Sequence, residues 1–255
     1  MSAYANAVIT GASRGIGRAL AIALAARGVR DIALVARGAE ALGAVAAEVE
    51  RAGARARIEV LDVGDAEATA DRMRSLDDAL GGLELVVANA GVGAGPTADP
   101  IAWETLRDPF HVNFCGAAAT LTAALPRMVA RRRGHLVGIG SLSAYGALPG
   151  AAAYCTPKAG LGMLLDCLRL DLAGTGVAVT HARLGFVRTS MVAQSTHPMP
   201  QLLEADEVGR ELARRLPSRP REIVMPRALA LATRALAALP QPMRELIARA
   251  GRRSA

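Results

Sequence analysis

Along the chain, short runs that are almost wholly apolar alternate with longer stretches in which apolar residues recur every three or four positions. The runs fall at residues 5–10, 32–35, 57–61, 83–88, 135–139, 177–184 and 222–225. Rich in Val, Ile and Ala, they predict strands buried on both faces. The periodic stretches predict helices at 16–27, 39–52, 65–80 and 102–132, and a further one that holds Tyr154 and Lys158 and ends near Gly174. Gly28, Gly53 and the Gly81-Gly82 pair stop the first three. Pro109 is expected to break the start of the long one, because proline has no N–H to donate. Strands alternating with helices imply right-handed crossovers between parallel strands. The expected fold is α/β: a doubly wound, mostly seven-stranded parallel sheet of Rossmann type with helices on both faces. No internal repeat or Pro-, Gly- or Ser-rich linker divides the chain, so one domain over 1–255 is expected.

Composition narrows the chemistry. Hydrophobic residues make up 52% of the chain and aromatic ones only 3%, so the core has to be assembled from Ala, Val, Leu and Ile. The net charge of +7 is concentrated at one end, where residues 227–255 carry six arginines and one glutamate. The remainder is near neutral and lacks aromatic platforms, which argues against a nucleic-acid partner. Cys115, Cys155 and Cys167 show no CxxC or Cys/His spacing, and His111, His135, His181 and His197 supply no metal-like pattern. No metal site is expected, and Cys155 reads as a packed thiol. Unpaired thiols and a start without a charged and then apolar leader predict a reducing, cytoplasmic setting. No apolar stretch reaches the roughly 20 residues of a membrane-spanning helix.

Three stretches carry candidate chemistry. Gly11, Gly15 and Gly17 follow the first strand with the spacing G-x3-G-x-G. Glycines at such a turn let the backbone approach a pyrophosphate and present N–H groups at a helix N-terminus. Arg37 follows the second strand, where an acid would bind a ribose 2′-hydroxyl; with Arg14 it favours a 2′-phosphate instead, hence NADP(H). Tyr154 stands four residues before Lys158, the sole lysine beside 29 arginines. On a helix, that spacing puts a phenol and a compact point charge on one face.

In order, Thr10-Gly-Ala-Ser-Arg-Gly-Ile-Gly17, Asp62-Val63, Asn89-Ala-Gly91, Asn113, Ser141, Tyr154-x-x-x-Lys158 and Leu184-Gly-Phe-Val-Arg-Thr189 resemble the short-chain dehydrogenase/reductase family over about residues 4–225. Ser141 precedes Tyr154 by thirteen positions, which selects it over Ser143. The resemblance implies that Tyr154 is the general acid in carbonyl reduction and the base in reverse. Lys158 would favour the phenolate and hold the nicotinamide ribose, Ser141 would polarise the substrate oxygen, and Asn113 would anchor a water leading from Lys158 to solvent. It further implies cofactor contacts at Gly11, Ser13, Arg14, Gly15, Ile16, Gly17, Arg37, Asp62, Val63, Asn89, Ala90, Gly91, Gly185, Val187 and Thr189. Three features depart or stand out. Leu184 replaces the family's proline, which predicts a looser nicotinamide pocket; Ala88 replaces an asparagine; and Pro157 is tolerable only in a first helical turn.

Residues 190–203 combine Met and Leu with two prolines and predict an apolar lid, within a lid region drawn at 190–216. Leu142, Tyr145, Phe186 and Met191 are the candidate pocket residues, suited to an apolar carbonyl or alcohol. Residues 227–239 and 242–250 form amphipathic basic helices expected to pack on the body or on a second subunit, with an anionic membrane surface the alternative. A homodimer or homotetramer is expected. The competing functional readings are a catalytically idle NADP-binding regulator and a membrane-peripheral reductase of lipid-like ketones.

Overall fold

The computed structural model describes residues 3–93, 102–148, 150–193 and 199–252, with side chains described to residue 247. Residues 194–198 of the expected lid, including His197, and residues 253–255 of the tail lie outside the described residues.

The first strand, β1 (Asn6–Thr10), is buried at every position and leads into α1 (Gly15–Ala26). β2 (Asp31–Ala36), α2 (Ala39–Arg51), β3 (Arg55–Val60), α3 (Ala66–Ala79) and β4 (Leu85–Ala88) follow. Asp65 caps α3 by accepting from the Ala68 N–H, which satisfies one of the donors left open at a helix start. The expected 102–132 helix is interrupted. α4 (Trp103–Phe110) runs into a π-helical turn, His111–Gly116, before α5 (Ala117–Thr122) and α6 (Leu125–Ala130). Pro109 sits inside α4 instead of ending it, and the wide turn comes just after. At its end Gly116 presses against the loop after β3: a Cβ there would lie 2.1 Å from the Val63 carbonyl oxygen.

β5 (Gly134–Ser141) passes through a 3-10 turn, Leu142–Tyr145, to α7 (Ala152–Asp171) and then β6 (Val177–Leu184). β7 (Val187–Arg188) and β8 (Leu203–Glu204) make a separate two-stranded parallel ladder across the lid segment. Two-residue strands carry no periodic signal and were not anticipated. α8 (Ala205–Arg215), β9 (Glu222–Met225), α9 (Arg227–Ala237) and α10 (Gln241–Arg252) complete the chain.

The main sheet has seven strands in the order β3-β2-β1-β4-β5-β6-β9, all parallel. One face carries Leu20, Leu24, Leu42, Val49, Val208 and Leu212; the other carries Met73, Leu76, Leu121, Met128, Leu161 and Leu165. Each fully buried Leu contributes roughly 1.5–3 kcal/mol, so aliphatic packing on two faces is enough without aromatic residues.

The second half of the lid region is corrected by this packing. Val208, Gly209, Leu212 and Ala213 of α8 are buried at helical spacing. A Cβ on Gly209 would lie 2.5 Å from the Ala19 carbonyl carbon of α1. Two small residues thus allow the backbones to touch, and 205–215 is a fixed covering helix.

Candidate active site

Sheet order reverses between β1 and β4: the chain builds outward from β1 to β3, then returns to add β4 on the other side. Loops leaving the carboxyl ends of two such strands part and open a crevice. Thr10 and Asn89 tie its floor together. The Asn89 side-chain amide donates to the Thr10 carbonyl at 2.9 Å, and the Asn89 and Ala90 N–H groups donate to Thr10 Oγ1 at 3.1 Å each.

The glycine turn rises above this floor. Gly11 and Gly15 have φ of +66° and +55°, a region that glycine enters without strain. Gly17 is required by contact alone, since a Cβ there would stand 2.3 Å from the Gly11 carbonyl oxygen and 2.6 Å from Asn89 Nδ2. Ser13 and Ile16 lie between them, and exposed Arg14 holds the N-cap position of α1 without a side-chain cap. Across the crevice, a Cβ on Gly15 would come 3.1 Å from Thr189 Cγ2, so the first turn and the segment after β6 face each other. This cradle of small residues at a helix N-terminus fits a dinucleotide pyrophosphate. Arg37, just past β2, holds Asp62 loosely at 3.7 Å with both side chains exposed. Asp62 in turn accepts from the Gly64 N–H at 2.9 Å, beside buried Val63. The Ala12 N–H donates to the Val35 carbonyl at 3.2 Å, which joins the loops bearing Arg14 and Arg37.

Tyr154, Lys158 and Ser141 converge from α7 and the end of β5. Lys158 is 4% exposed, and its ammonium donates to the Ile139 carbonyl at 2.9 Å. Burial pushes its pKa down to about 8. Its Nζ lies 5.9 Å from the centre of the Tyr154 ring. Burial also raises the Tyr154 phenol above its usual 10, against a hydrogen bond from Ser141 that lowers it. Loss of water around the phenol is the largest cause of that shift and keeps the proton on Tyr154.

Ser143, which spacing set aside in favour of Ser141, supports Ser141 directly. Its N–H and its hydroxyl both donate to Ser141 Oγ, at 3.1 and 2.8 Å. A hydroxyl has two acceptor positions and one proton. With both acceptor positions taken, the Ser141 proton is directed at Tyr154. Cys155 is buried beside Ser143, and burial shifts its thiol upward, so it is a packed thiol.

Asn113 lies in the π-helical turn, fully buried, and its amide clasps the Val92 backbone in both directions at 2.8 Å. A Cβ on Gly91 would stand 3.1 Å from Asn113 Oδ1, 3.6 Å from Lys158 Nζ and 3.8 Å from Met191 Cε. Asn113, Lys158 and the lid residue Met191 are thus gathered round one glycine. The Asn113 side chain thus pins the Val92 backbone beside Gly91. Pro157 corrects another expectation. α7 starts at Ala152, so Pro157 is past the first turn and deprives the Ala153 carbonyl of its helical donor.

The segment after β6, expected to meet the nicotinamide, is firmer than its sequence suggested. Leu184 is buried and paired with Ser141 on one side and Met225 on the other, and the Gly185 N–H donates to the Met225 carbonyl at 2.7 Å. Sheet pairing supplies the constraint that the missing proline does not. Gly185 is needed for packing, because a Cβ would lie 2.9 Å from Pro226 and 3.4 Å from Leu142. Val187 is buried, whereas Phe186 is half-buried, with its carbonyl accepting from the Leu203 N–H at 2.9 Å.

Of the four pocket candidates, Tyr145 is reassigned. Its ring lies between the Arg183 and Arg234 guanidiniums, each 4.9 Å from the ring centre. Its hydroxyl accepts from Arg234 at 2.8 Å, and Glu222 bridges both arginines. These cations hold the Glu222 carboxyl below its usual range although burial alone would raise it. Tyr145 is a strut between the 3-10 turn and α9. Leu142 is buried and Met191 exposed. His135 is buried between Tyr4 and Thr180, at 2.7 and 2.8 Å. His181 packs against Gly140 and Gly162 with neither ring nitrogen hydrogen-bonded. Burial pushes both imidazoles down to about 3, so they are neutral packing groups. No metal-ligating cluster occurs among the described residues.

These findings agree with comparison to known proteins. A model of the short chain dehydrogenase family matches residues 5–200. An uncharacterized oxidoreductase of Myxococcus xanthus is 44% identical over 96% of this chain and 97% of its own length. Short-chain dehydrogenase/reductase 3 of Homo sapiens is 32% identical over 69% of this chain and 58% of its own length. Among solved structures, a metagenomic short-chain oxidoreductase in complex with NADP superposes with a TM-score of 0.74 at 30% identity, covering 88% of this chain and 97% of that one. A 3-oxoacyl-[acyl-carrier protein] reductase from Brucella melitensis in complex with NAD gives 0.78 at 29% identity, covering 89% and 98%.

Proposed function

The chain belongs to the short-chain dehydrogenase/reductase family, and from that premise we propose that it is an NADPH-dependent reductase of apolar ketones or aldehydes, working reversibly. The observation that carries this reading is the Ser141–Tyr154 hydrogen bond beside buried Lys158, at the mouth of a glycine-lined crevice. NADPH, when bound, supplies the hydride. The Gly11–Gly17 turn would hold its pyrophosphate, Asp62 and Val63 its adenine, and Val187 and Thr189 its carboxamide. Tyr154 would offer its proton where a carbonyl oxygen gathers negative charge during reduction, and Ser141, hydrogen-bonded to Tyr154 in the free site, would turn its own proton to that oxygen once substrate arrives. Tyr154 then gives up its proton, and Lys158, at about 8, is close enough to neutrality to replace it. The complete donor set argues against an idle cofactor-binding regulator.

Ser143→Ala tests the hydrogen-bond chain. Loss of the donor that orients Ser141 is expected to lower kcat about three- to tenfold with KM for NADPH unchanged, the size of one net hydrogen bond. Ser143→Thr, which keeps the hydroxyl, is expected to restore most of it.

The preference for NADPH over NADH is tested at Arg37. A charge-assisted bond to a 2′-phosphate is worth roughly 1.5–3 kcal/mol, so Arg37→Ala should cut kcat/KM for NADPH about 10- to 100-fold and leave NADH nearly unchanged. Equal losses with both cofactors would remove Arg37 as the phosphate contact. A panel of aldehydes, aliphatic and aromatic ketones and 3-oxoacyl thioesters, run with both cofactors, tests the reaction itself.

A further inference from the structure

We propose that the C-terminal helices form a docking surface for an anionic lipid bilayer. α9 is fixed to the body on one side only: Ala230 is buried, and Arg234 bonds Tyr145 at 2.8 Å and Glu222 at 2.7 Å. Its other side exposes Leu231 to 72%. On α10, Met243, Leu246 and Ile247 stand at the i, i+3 and i+4 positions of one face. They are 50%, 70% and 46% exposed, so this face is not packed on the body as a helix stripe normally is.

Charge selects the occupant. The segment from 227 onward has six arginines against one glutamate. At the foot of α9, Arg214, Arg215 and Arg227 line a shallow depression with Glu211. Glu211 is taken up by Arg214 at 2.7 Å, while Arg215 and Arg227 make no ion pair among the described residues. Leu231 is one turn from Arg227 on the same face of α9. Cations bordering exposed aliphatic residues suit a bilayer, whose headgroups carry phosphate and whose interior takes Leu, Ile and Met. A second copy is disfavoured, because a two-fold contact through this face sets the same arginines against one another. None of the described helices is long and apolar enough to cross a membrane, so the contact is peripheral.

α9 also braces the turn carrying Leu142 and Tyr145, so a docked chain holds the substrate side of its crevice near the lipid. That consequence rests on the reductase reading; the docking itself does not. The test is co-sedimentation of the full chain with vesicles of phosphatidylglycerol and phosphatidylcholine, against phosphatidylcholine alone. Binding to the anionic vesicles is expected, weakening with salt, and falling at least about tenfold in Leu246→Glu/Ile247→Glu, with reduction of a soluble ketone unchanged in that variant. Wild-type protein left in the supernatant at low salt overturns the proposal, as does a double variant that binds like wild type. If the double variant instead splits a dimer and neither form binds vesicles, the face belongs to a second copy. A chain that binds vesicles but reduces no carbonyl leaves the docking standing and removes the reductase reading.

Discussion

Tyr154→Phe is expected to lower kcat for carbonyl reduction about 10³-fold, within the roughly 10²–10⁴ that one positioned proton donor supplies. The substitution removes a hydroxyl and keeps the ring. The ring lies beside Lys158 on a helix fixed by buried Leu161 and Leu165, so the fold has no cause to change. What is lost is the hydroxyl that Ser141 hydrogen-bonds, and with it the proton delivered to the substrate oxygen. NADPH affinity by fluorescence titration and the melting temperature should both stay close to wild type. A variant retaining more than about a tenth of wild-type turnover would mean that Tyr154 is not the proton donor.

Lys158→Met is expected to move activity and stability in opposite directions. Lys158 carries a charge into a site 4% exposed, where burial lowers its pKa from 10.5 to about 8. Between those two values the unfolded chain holds a proton that the folded chain has released, so wild-type stability rises as pH rises through the window and is lost as pH falls back through about 8. The drop corresponds to about 3 kcal/mol. Methionine fills similar volume without the charge, offset by the Ile139 carbonyl losing its donor. The variant should therefore be about 1–3 kcal/mol more stable at pH 7, a rise of roughly 2–4 °C for each kcal/mol, while kcat falls about 10²-fold or more. Between pH 8 and 10.5, wild type should gain stability relative to the variant until the difference closes. Equal pH dependence in the two proteins would show that Lys158 is not a destabilising buried cation.

Much of this molecule is legible in its sequence because the strong signals are local. The inner strands β1, β2 and β4 are nearly continuous apolar runs, as parallel strands covered on both faces must be, whereas edge strand β3 is largely exposed and carries Arg55, Arg57 and Glu59. The glycine turn is legible for the same reason: Gly11 and Gly15 need left-handed backbone, and Gly17 has no room for a Cβ. Ser141, Tyr154 and Lys158 could be picked out by spacing, but spacing does not report dehydration, so the burial that raises Tyr154 and lowers Lys158 was not legible. Tyr145 was misjudged because its partners, Arg183, Glu222 and Arg234, come from β6, β9 and α9. The extent of the lid was misjudged because the fit of Gly209 on Ala19 is a contact between helices at opposite ends of the chain. Ser143 differs from Ser141 only in which hydroxyl faces Tyr154, a matter of strand end against 3-10 turn. Non-local contacts, and the loss of water that comes with them, account for each of these misses.

The central claim is that Tyr154 protonates a carbonyl as NADPH is oxidised. Its most direct test follows NADPH consumption and alcohol formation together, across the carbonyl panel, for wild type and Tyr154→Phe. One alcohol formed per NADPH consumed by wild type, with neither change in the variant, is the predicted result. Wild-type protein that binds NADPH yet yields no alcohol from any carbonyl in the panel, or a variant that matches it in turnover, would contradict the account.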